Sequence, residues 1–397
     1  MNCPPLLTAS IYTHIEVLYQ RRVLIKTHKM KKIALLLIVG LVQISLSAQN
    51  DVTIGKNKKF VSKLLGGEVT YSEHLPDGYD NSKIDYPVIY MMNGQIISSF
   101  ASAAATLDNL SNERIPDMIL IGISNTDKAG LYWSCPNDTG YVKGGEMFYK
   151  FLKEEFIPEI KKNYRTNDYK ILAGQSNTGL FVLYNFLFHP ELFDAYIVAS
   201  PMFNWCPDFY LNKTKSLVDN AQINKKLYVS YGELDYIEVL SHINDFKELL
   251  KQAPESLKWQ VELIQNSGHV PFVTLNNALL YFFSECTMNA ERKKLKISEI
   301  KSHFNALSRE YGFNVNPKGG VLFDMAMDLK NQKKFEESIE MFKYLISLYS
   351  DSETYYFYLG QTFQEKGDLG LAKESYRQSL KIDSTYTRAR IALGKLN

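Results

Sequence analysis

Tyr169 to Tyr184 reads YKILAGQSNTGLFVLY, and its interpretation decides the fold of the chain. Lys170–Ala173 has the make-up of a buried strand, Gly174–Asn177 of a turn, and Thr178–Phe188 of an apolar helix. In a strand–turn–helix elbow a serine at the apex is pushed out over the edge of a sheet. The N–H of Asn177 then faces the point where an oxyanion would form. Glycine is wanted shortly before the serine and two residues after it, where backbone and helix come close. Gly174 fits. The second position is Thr178, with Gly179 one place later, so the G-x-S-x-G pattern is broken. On this stretch alone two readings stand level: Ser176 as a nucleophile, and Ser176 as a helix cap.

Outward from the elbow, Glu68 to about Cys286 alternates apolar strand-like runs with helical stretches. The runs are Glu68–Leu75, Tyr86–Met92, Met118–Ser124, Lys170–Ala173, Ala195–Ala199, Leu227–Tyr231 and Trp259–Ile264. Several are apolar almost throughout, as strands covered on both faces are. Helices are expected over Glu146–Tyr164, where Phe148, Leu152, Phe156 and Ile160 recur at i+4, and over Asp245–Gln252 and Phe272–Ser284. Alternating β and α implies an α/β fold with a mostly parallel sheet and helices on both faces. In such sheets the chemistry sits at the carboxyl ends of strands, where Ser176 lies.

Two more strand ends carry chemistry. Leu227–Tyr231 is followed by Gly-Glu-Leu-Asp, giving Glu233 and Asp235, and Trp259–Ile264 is followed by a loop containing His269. The order serine, acid, histidine is that of the α/β-hydrolase arrangement. The chemistry requires it: a serine hydroxyl is a poor nucleophile until an imidazole takes its proton, and the imidazole needs a carboxylate to fix its tautomer. His269 alone could be a surface-loop histidine, but its place after the last strand favours the catalytic reading. His74, His189, His242 and His303 lack such settings and read as structural or solvated.

The ends of the chain differ in character. From Met30 the sequence MKKIALLLIVGLVQISLSAQN has the charged opening, apolar run and small-residue close of a secretory signal peptide, assigned to 30–48. Residues 1–29 read as a start-site artefact. The expected location is therefore periplasmic or secreted, with no membrane span in the mature protein, because the apolar run is shorter than the ~20 residues a span needs. The chain is 45% hydrophobic with a formal net charge of +2, which argues against a nucleic-acid partner. No Cys/His spacing suggests zinc or another metal, and no cofactor is implied. Cys135, Cys206 and Cys286 survive processing. Cys135 and Cys206 fall in loops leaving the carboxyl ends of strands. Either they bridge, with Cys286 the free thiol, or they are small buried residues.

The stretches YSEHLPDGYD, YPVIYMMNGQ, IPDMILIGISNTD, GGEMFYKFLKEEFIPEIKKNYRT, AGQSNTGLFVLYNFLFHPELFDAYIVASP, LYVSYGELD and NSGHVPF resemble, in order and spacing, the putative-esterase branch of the α/β hydrolases. That branch includes enterobactin-esterase-like, S-formylglutathione-hydrolase-like and feruloyl-esterase-like enzymes, and the resemblance covers roughly Val69 to Glu285. It implies Ser176 as nucleophile, His269 as general base, and an acid within Gly-Glu-Leu-Asp, with Asp235 favoured over Glu233. It also implies oxyanion donors at Asn177 and at Gly94 or Gln95. The expected substrate is a small-molecule ester. Where the family often carries a basic loop, this chain has Lys128-Ala-Gly-Leu-Tyr-Trp-Ser-Cys135. The acyl pocket is therefore expected to be aromatic, walled by Tyr132, Trp133, Phe203 and Trp205, unless those four belong to the core. The competing functional class is a hydrolase-shaped scaffold that has lost catalysis, for which Gln175 and Thr178 speak.

The hydrolase region is assigned to 49–289. Residues 290–318 read as a linker helix and turn. Beyond it Met325, Leu359 and Leu393 recur at 34 residues, as do Ala326, Gly360 and Gly394, while Phe342 matches Tyr376 and Ser338 matches Ala372. This period with this residue pattern is the tetratricopeptide signature of paired antiparallel helices, here a small all-α region over 319–397. Two repeats bury little core alone, so they are expected to pack on the linker helix or the hydrolase. They serve either a protein partner or as a C-terminal brace.

Overall fold

The strands and helices below come from a computed structural model that describes residues 53–124, 132–137, 142–219 and 223–396. The segment 1–29, the leader at 30–48 and the start of the loop at 125–131 lie outside the described residues. Eight strands form one sheet: β1 (Lys56–Ser62), β2 (Gly67–His74), β3 (Tyr86–Met92), β4 (Ile119–Ile123), β5 (Thr166–Gln175), β6 (Ala195–Ala199), β7 (Lys226–Gly232) and β8 (Lys258–Ile264). Their order is β1-β2-β4-β3-β5-β6-β7-β8. β2 pairs antiparallel with both β1 and β4, and the remaining pairs are parallel. The strand β1 goes beyond the sequence reading. It is an edge strand with mostly solvent-facing residues in KNKKFVS, so it presents charge rather than an apolar run.

The two faces of each inner strand feed two different cores, as a period of two requires. Val88 and Tyr90 of β3 and Leu172 of β5 point into one, and Ile89 and Ile171 into the other. The first core is covered by α2 (Lys143–Phe151), α3 (Ile157–Asn163), α4 (Ser176–Phe188), α5 (Pro207–Val218) and α6 (Ile237–Leu250). A π-helical turn at Leu152–Phe156 joins α2 to α3, and Phe148, Leu152, Phe156 and Ile160 all bury along that line. The second core is covered by α1 (Ile97–Ser111) and α7 (Thr274–Phe282). Neither α1 nor α5 stood out in the sequence. α1 buries Phe100, Ala103, Ala104, Leu107 and Leu110, two of the five being alanines, and α5 buries only Tyr210, Thr214 and Val218.

The C-terminal helices continue the second core. α8 (Ile297–Tyr311) is amphipathic and buries Ile297, Ile300, Phe304, Leu307 and Tyr311. The Tyr311 ring stacks on Phe283 at 5.1 Å and meets Tyr169 of β5 edge-on at 5.7 Å. Glu310 accepts from Lys226 Nζ at 3.0 Å and Lys258 Nζ at 2.8 Å, fastening the helix to the starts of β7 and β8. Burial alone would raise the Glu310 carboxyl, but the two lysines outweigh it and hold it below the usual range. The helix pairs α9 (Gly319–Asn331) with α10 (Phe335–Leu348) and α11 (Glu353–Lys366) with α12 (Leu369–Ile382) follow, capped by α13 (Thr387–Leu396). Ser338 and Ala372, at the small-residue position of each repeat, are fully buried, and Phe342 and Tyr376 fill the matching aromatic position. From Ile54 to Asn397 the chain is one compact unit, and a single apolar cluster runs from Ile89 of β3 to Ala389 of α13.

Removing the helices in two steps separates their contributions. Deleting Val321 onward strips the cover from α8 and should lower solubility and raise dye-detected apolar surface, while a cooperative melt persists. Deleting from residue 290 onward also uncovers Tyr169 and Phe283, and cooperative melting followed by circular dichroism should be lost. An unchanged melt in the longer deletion would show that α8 is not part of the core.

Candidate active site

Strand β5 runs through Gln175 and α4 begins at Ser176, with no residue between them. The four-residue turn expected from the sequence is therefore compressed to one peptide, and Ser176 takes φ 54° to make the corner. Gln175 stands at the N-cap position of the helix and Ser176 is its first residue, so the cap position falls on Gln175. Thr178 occupies the place of a glycine and contributes a hydroxyl that is almost wholly buried. Its Oγ1 donates to Gln175 O at 2.7 Å and accepts from Gln175 N at 3.0 Å and from Asn93 Nδ2 at 3.1 Å. One side chain thus closes the elbow and ties it to the loop after β3. The close approaches fall to Gly174, where a Cβ would lie 2.7 Å from Thr178 O, and to Gly179, which packs on the end of β6.

Asp235 and His269 meet past the carboxyl ends of β7 and β8, the same edge of the parallel strands at which β5 delivers Ser176. His269 Nδ1 lies 2.7 Å from Asp235 Oδ1, which also accepts from the Tyr236 N–H at 2.8 Å. Oδ2 accepts from Ser200 Oγ at 2.5 Å and from the Gly232 N–H at 3.3 Å. The Asp235 side chain is fully shielded from solvent and that of His269 is 20% exposed. Glu233 faces elsewhere, accepting from the Asn266 N–H at 2.9 Å, so Asp235 is the acid in contact with the imidazole. The Tyr236 ring packs on His269 with centroids 4.6 Å apart. The loop after β8 then folds back across β7: Val270 N donates to Ser200 at the end of β6, and Val270 shares a pocket wall with Gln175. This return brings the histidine loop toward the serine. Among the described residues no hydrogen bond joins Ser176 Oγ to His269.

On the oxyanion side the structure corrects one expectation. The Gly94 N–H donates to Ile123 O at 2.8 Å, so it cannot serve as a donor to substrate. Gly94 serves instead as a contact point with β4, where a Cβ would lie 2.2 Å from Gly122. Gln95, the next residue, is exposed at the start of the segment leading into α1. Asn177 sits in the first turn of α4, where backbone N–H groups have no partner within the helix.

The expected pocket walls divide. Phe203 is fully buried against Phe246 and Tyr210 and belongs to the core, which corrects its assignment as a wall. Tyr132 is partly buried against that core. Trp133 and Trp205 are 38% and 51% exposed and meet edge to face at 5.3 Å. Trp205 Nε1 donates to Asn177 Oδ1 at 3.0 Å, beside the serine. Cys135 and Cys206 form a disulfide that fastens the two tryptophan-bearing loops together. Cys286 is the free cysteine among the described residues, its thiol pushed up to about 12 by burial and so kept protonated. A small pocket of about 130 Å³ opens beside the elbow, lined by Met91, Met92, Gln175, Ala199 and Val270 among others. A larger cavity of about 330 Å³ lies at the opposite ends of the strands, between Tyr86 and Lys318, and is not part of this site. His74 pairs with Asp108, His189 with Glu146 and His303 with Glu285 O, all outside the site.

Comparison with known proteins puts this geometry in context. A family model described as "Putative esterase" matches residues 62–262, and one described as "Tetratricopeptide repeat" matches residues 353–386. The chain is 34% identical over 136 residues to the ferri-bacillibactin esterase BesA of Bacillus subtilis (strain 168), covering 32% of this chain and 47% of that protein. It thus spans about half the length of this relative. Among solved structures, an IroE-like serine hydrolase from Shewanella oneidensis superimposes with a TM-score of 0.64 at 22% identity, over 74% of this chain and 99% of the other. An uncharacterised protein from Capnocytophaga ochracea DSM 7271 gives 0.60 at 15% identity, over 86% of this chain and 99% of the other. At such identities the two structures speak to the fold.

Thr178 offers a direct test of the elbow. Restoring the pattern with Thr178→Gly removes the hydroxyl and places glycine in the first helical turn, and should cost about 1–3 kcal/mol of stability. Thr178→Ser keeps the hydroxyl and should lie much closer to wild type in thermal or denaturant unfolding. A Thr178→Gly protein as stable as wild type would mean that the hydroxyl does not hold the corner.

Proposed function

This chain belongs to the Putative esterase family, whose model spans half of it, and from that premise we propose that it is an exported serine hydrolase that cleaves a carboxylic ester. The observation that carries the reading is the buried Asp235 carboxylate against His269 Nδ1, at the same sheet edge as a serine held at φ 54°. In this mechanism Ser176 Oγ attacks the ester carbonyl while His269 Nε2 takes its proton. Asp235 holds Nδ1–H and stabilises the imidazolium that forms. The negative charge on the tetrahedral oxygen is met by the N–H of Asn177, with Gln95 as the second donor now that Gly94 is committed to β4. Collapse expels the alcohol, protonated by His269, and leaves an acyl-Ser176. Water, deprotonated by His269, then attacks the acyl carbonyl and releases the acid with Ser176 restored.

The substrate proposed is an ester with a planar aromatic group, of the siderophore or feruloyl kind. Trp133 and Trp205 would be its walls, with Tyr132 beneath. The edge-to-face tryptophan pair supports this, as does the position of Trp205 on Asn177. Export is supported by the leader-like sequence at 30–48 and by the Cys135–Cys206 disulfide, which persists in oxidising compartments. The scaffold alternative drew on Gln175 and Thr178. Both are engaged in closing the elbow, which favours the catalytic reading. Among the described residues no helix is long and apolar enough to cross a membrane. The repeats remain open to a protein partner or to bracing the second core, and the shared apolar cluster supports the brace.

Ser176→Ala and His269→Ala should each lower turnover of a short-chain ester by about 10³-fold or more, because the pair acts as a unit. Asp235→Asn should lose far more than Glu233→Gln; the opposite ranking would reassign the acid. A fluorophosphonate probe should label the folded wild type and not Ser176→Ala, and an unlabelled wild type would favour the scaffold reading.

The pocket is tested separately. Trp205→Ala should lower kcat/KM for esters of aromatic acids several-fold more than for acetate esters, since a stacking contact contributes about 0.5–1.5 kcal/mol. Reducing the Cys135–Cys206 disulfide should act in the same direction. An equal loss on both ester classes would place the aromatic group of the substrate elsewhere.

A further inference from the structure

We propose that Ser200 is a positioning residue of this site, holding the acid and the histidine-bearing loop in one arrangement; the proposal rests on the catalytic reading above. Ser200 is the first residue after β6, fully buried, with φ 47°. Its N–H donates to Ser230 O at 2.8 Å, which anchors the corner to β7. Its hydroxyl is used in both directions. Oγ donates to Asp235 Oδ2 at 2.5 Å and accepts from the Val270 N–H at 2.9 Å.

Both partners matter to the imidazole. The carboxylate has two oxygens, and only Oδ1 touches His269. Ser200 makes the shorter of the two bonds to the other oxygen, the Gly232 N–H the longer, and so helps set the plane in which Oδ1 is presented. Val270 directly follows His269, precedes Pro271 and takes φ 59°. A β-branched residue rarely adopts that conformation, and it persists only where the surroundings dictate it. The bond to Ser200 Oγ is a tether on that peptide. The loop carrying the base is thereby bound to the strand next to the one carrying the serine.

Backbone geometry alone does not call for a serine here. Glycine would take φ 47° without a side-chain penalty, but it lacks the hydroxyl. A residue present only to turn the corner should therefore tolerate glycine, whereas a positioning residue should not.

The test uses the full chain with Ser200→Ala and Ser200→Gly, each compared with wild type and with Ser176→Ala. Four readouts are taken: kcat and KM on a short-chain ester, thermal unfolding, and the downfield proton resonance of His269 Nδ1–H. We expect both folded variants to lose about 10- to 100-fold in kcat, the range for a hydrogen bond to a charged group, with KM within about twofold. The Nδ1–H resonance should shift or broaden, which a purely structural role would not produce in a variant of unchanged melting temperature. Should Ser200→Ala fail to fold, Ser200→Gly decides, since it keeps the backbone conformation available. A folded Ser200→Gly protein with wild-type kcat and an unchanged resonance overturns the proposal, as does a loss confined to KM. If Ser176→Ala is inactive while Ser200→Gly behaves as wild type, only the role of Ser200 falls. If Ser176→Ala retains full turnover, the catalytic reading itself falls and takes this proposal with it.

Discussion

The Asp235 carboxylate is the point on which the site depends. It is a fully shielded charge, and a buried carboxylate is tolerated only when its oxygens are well occupied. Here the occupants are the Ser200 hydroxyl, the N–H groups of Gly232 and Tyr236, and the His269 ring. They come from the ends of β6 and β7 and from the loop after β8. Satisfying one anion therefore draws three strand ends together. The need to occupy Asp235 and the need to orient an imidazole are met by the same set of contacts.

Backbone conformation adds to that convergence. Among the described residues, the non-glycine positions with positive φ are Asn93, Ser176, Ser200, Asn266, Val270 and Lys333. All but Lys333 lie at or just past the carboxyl ends of β3, β5, β6 and β8. Such conformations cost about 1–3 kcal/mol each and survive where surrounding contacts over-determine them. The contacts here are side-chain hydroxyls and amides: Thr178 to Asn93 across the elbow, and Ser200 to Val270 across the sheet top. These positions cluster around the groups proposed for catalysis, where preorganisation would serve a reaction.

The helical C-terminus supports the same sheet from its other side. Tyr311 packs on Tyr169 of the strand that ends at the elbow, and Glu310 pairs with lysines at the starts of β7 and β8. Since one apolar cluster runs through α1, α7, α8 and the repeats, the repeats extend the core and do not hang from it by a linker. Both outer loops of the site are fastened as well, by the disulfide between Cys135 and Cys206.

Much was legible in the chain itself. The apolar runs give the parallel strands because both their faces are buried. The 34-residue period gives the repeats because each helix pair buries the next. The serine, acid and histidine come in that order after β5, β7 and β8 because covalent order fixes which strand each one leaves. Pattern reading misses elements that bury little: β1 is a charged edge, and α5 hides three residues. What the tertiary structure alone decided are the questions of which atom meets which. Glu233 and Asp235 are two residues apart in one loop, and although the family resemblance favoured Asp235, only the contacts show that it is Asp235 that turns inward to His269. Gly94 lost its role because its N–H completes a bond to β4, and Phe203 because it faces the core and not the cleft. Thr178, a defect in the motif, became a clasp once Asn93 was brought beside it from 85 residues away. Hydrogen-bond partners far apart in the chain are set by packing, and no local pattern encodes them.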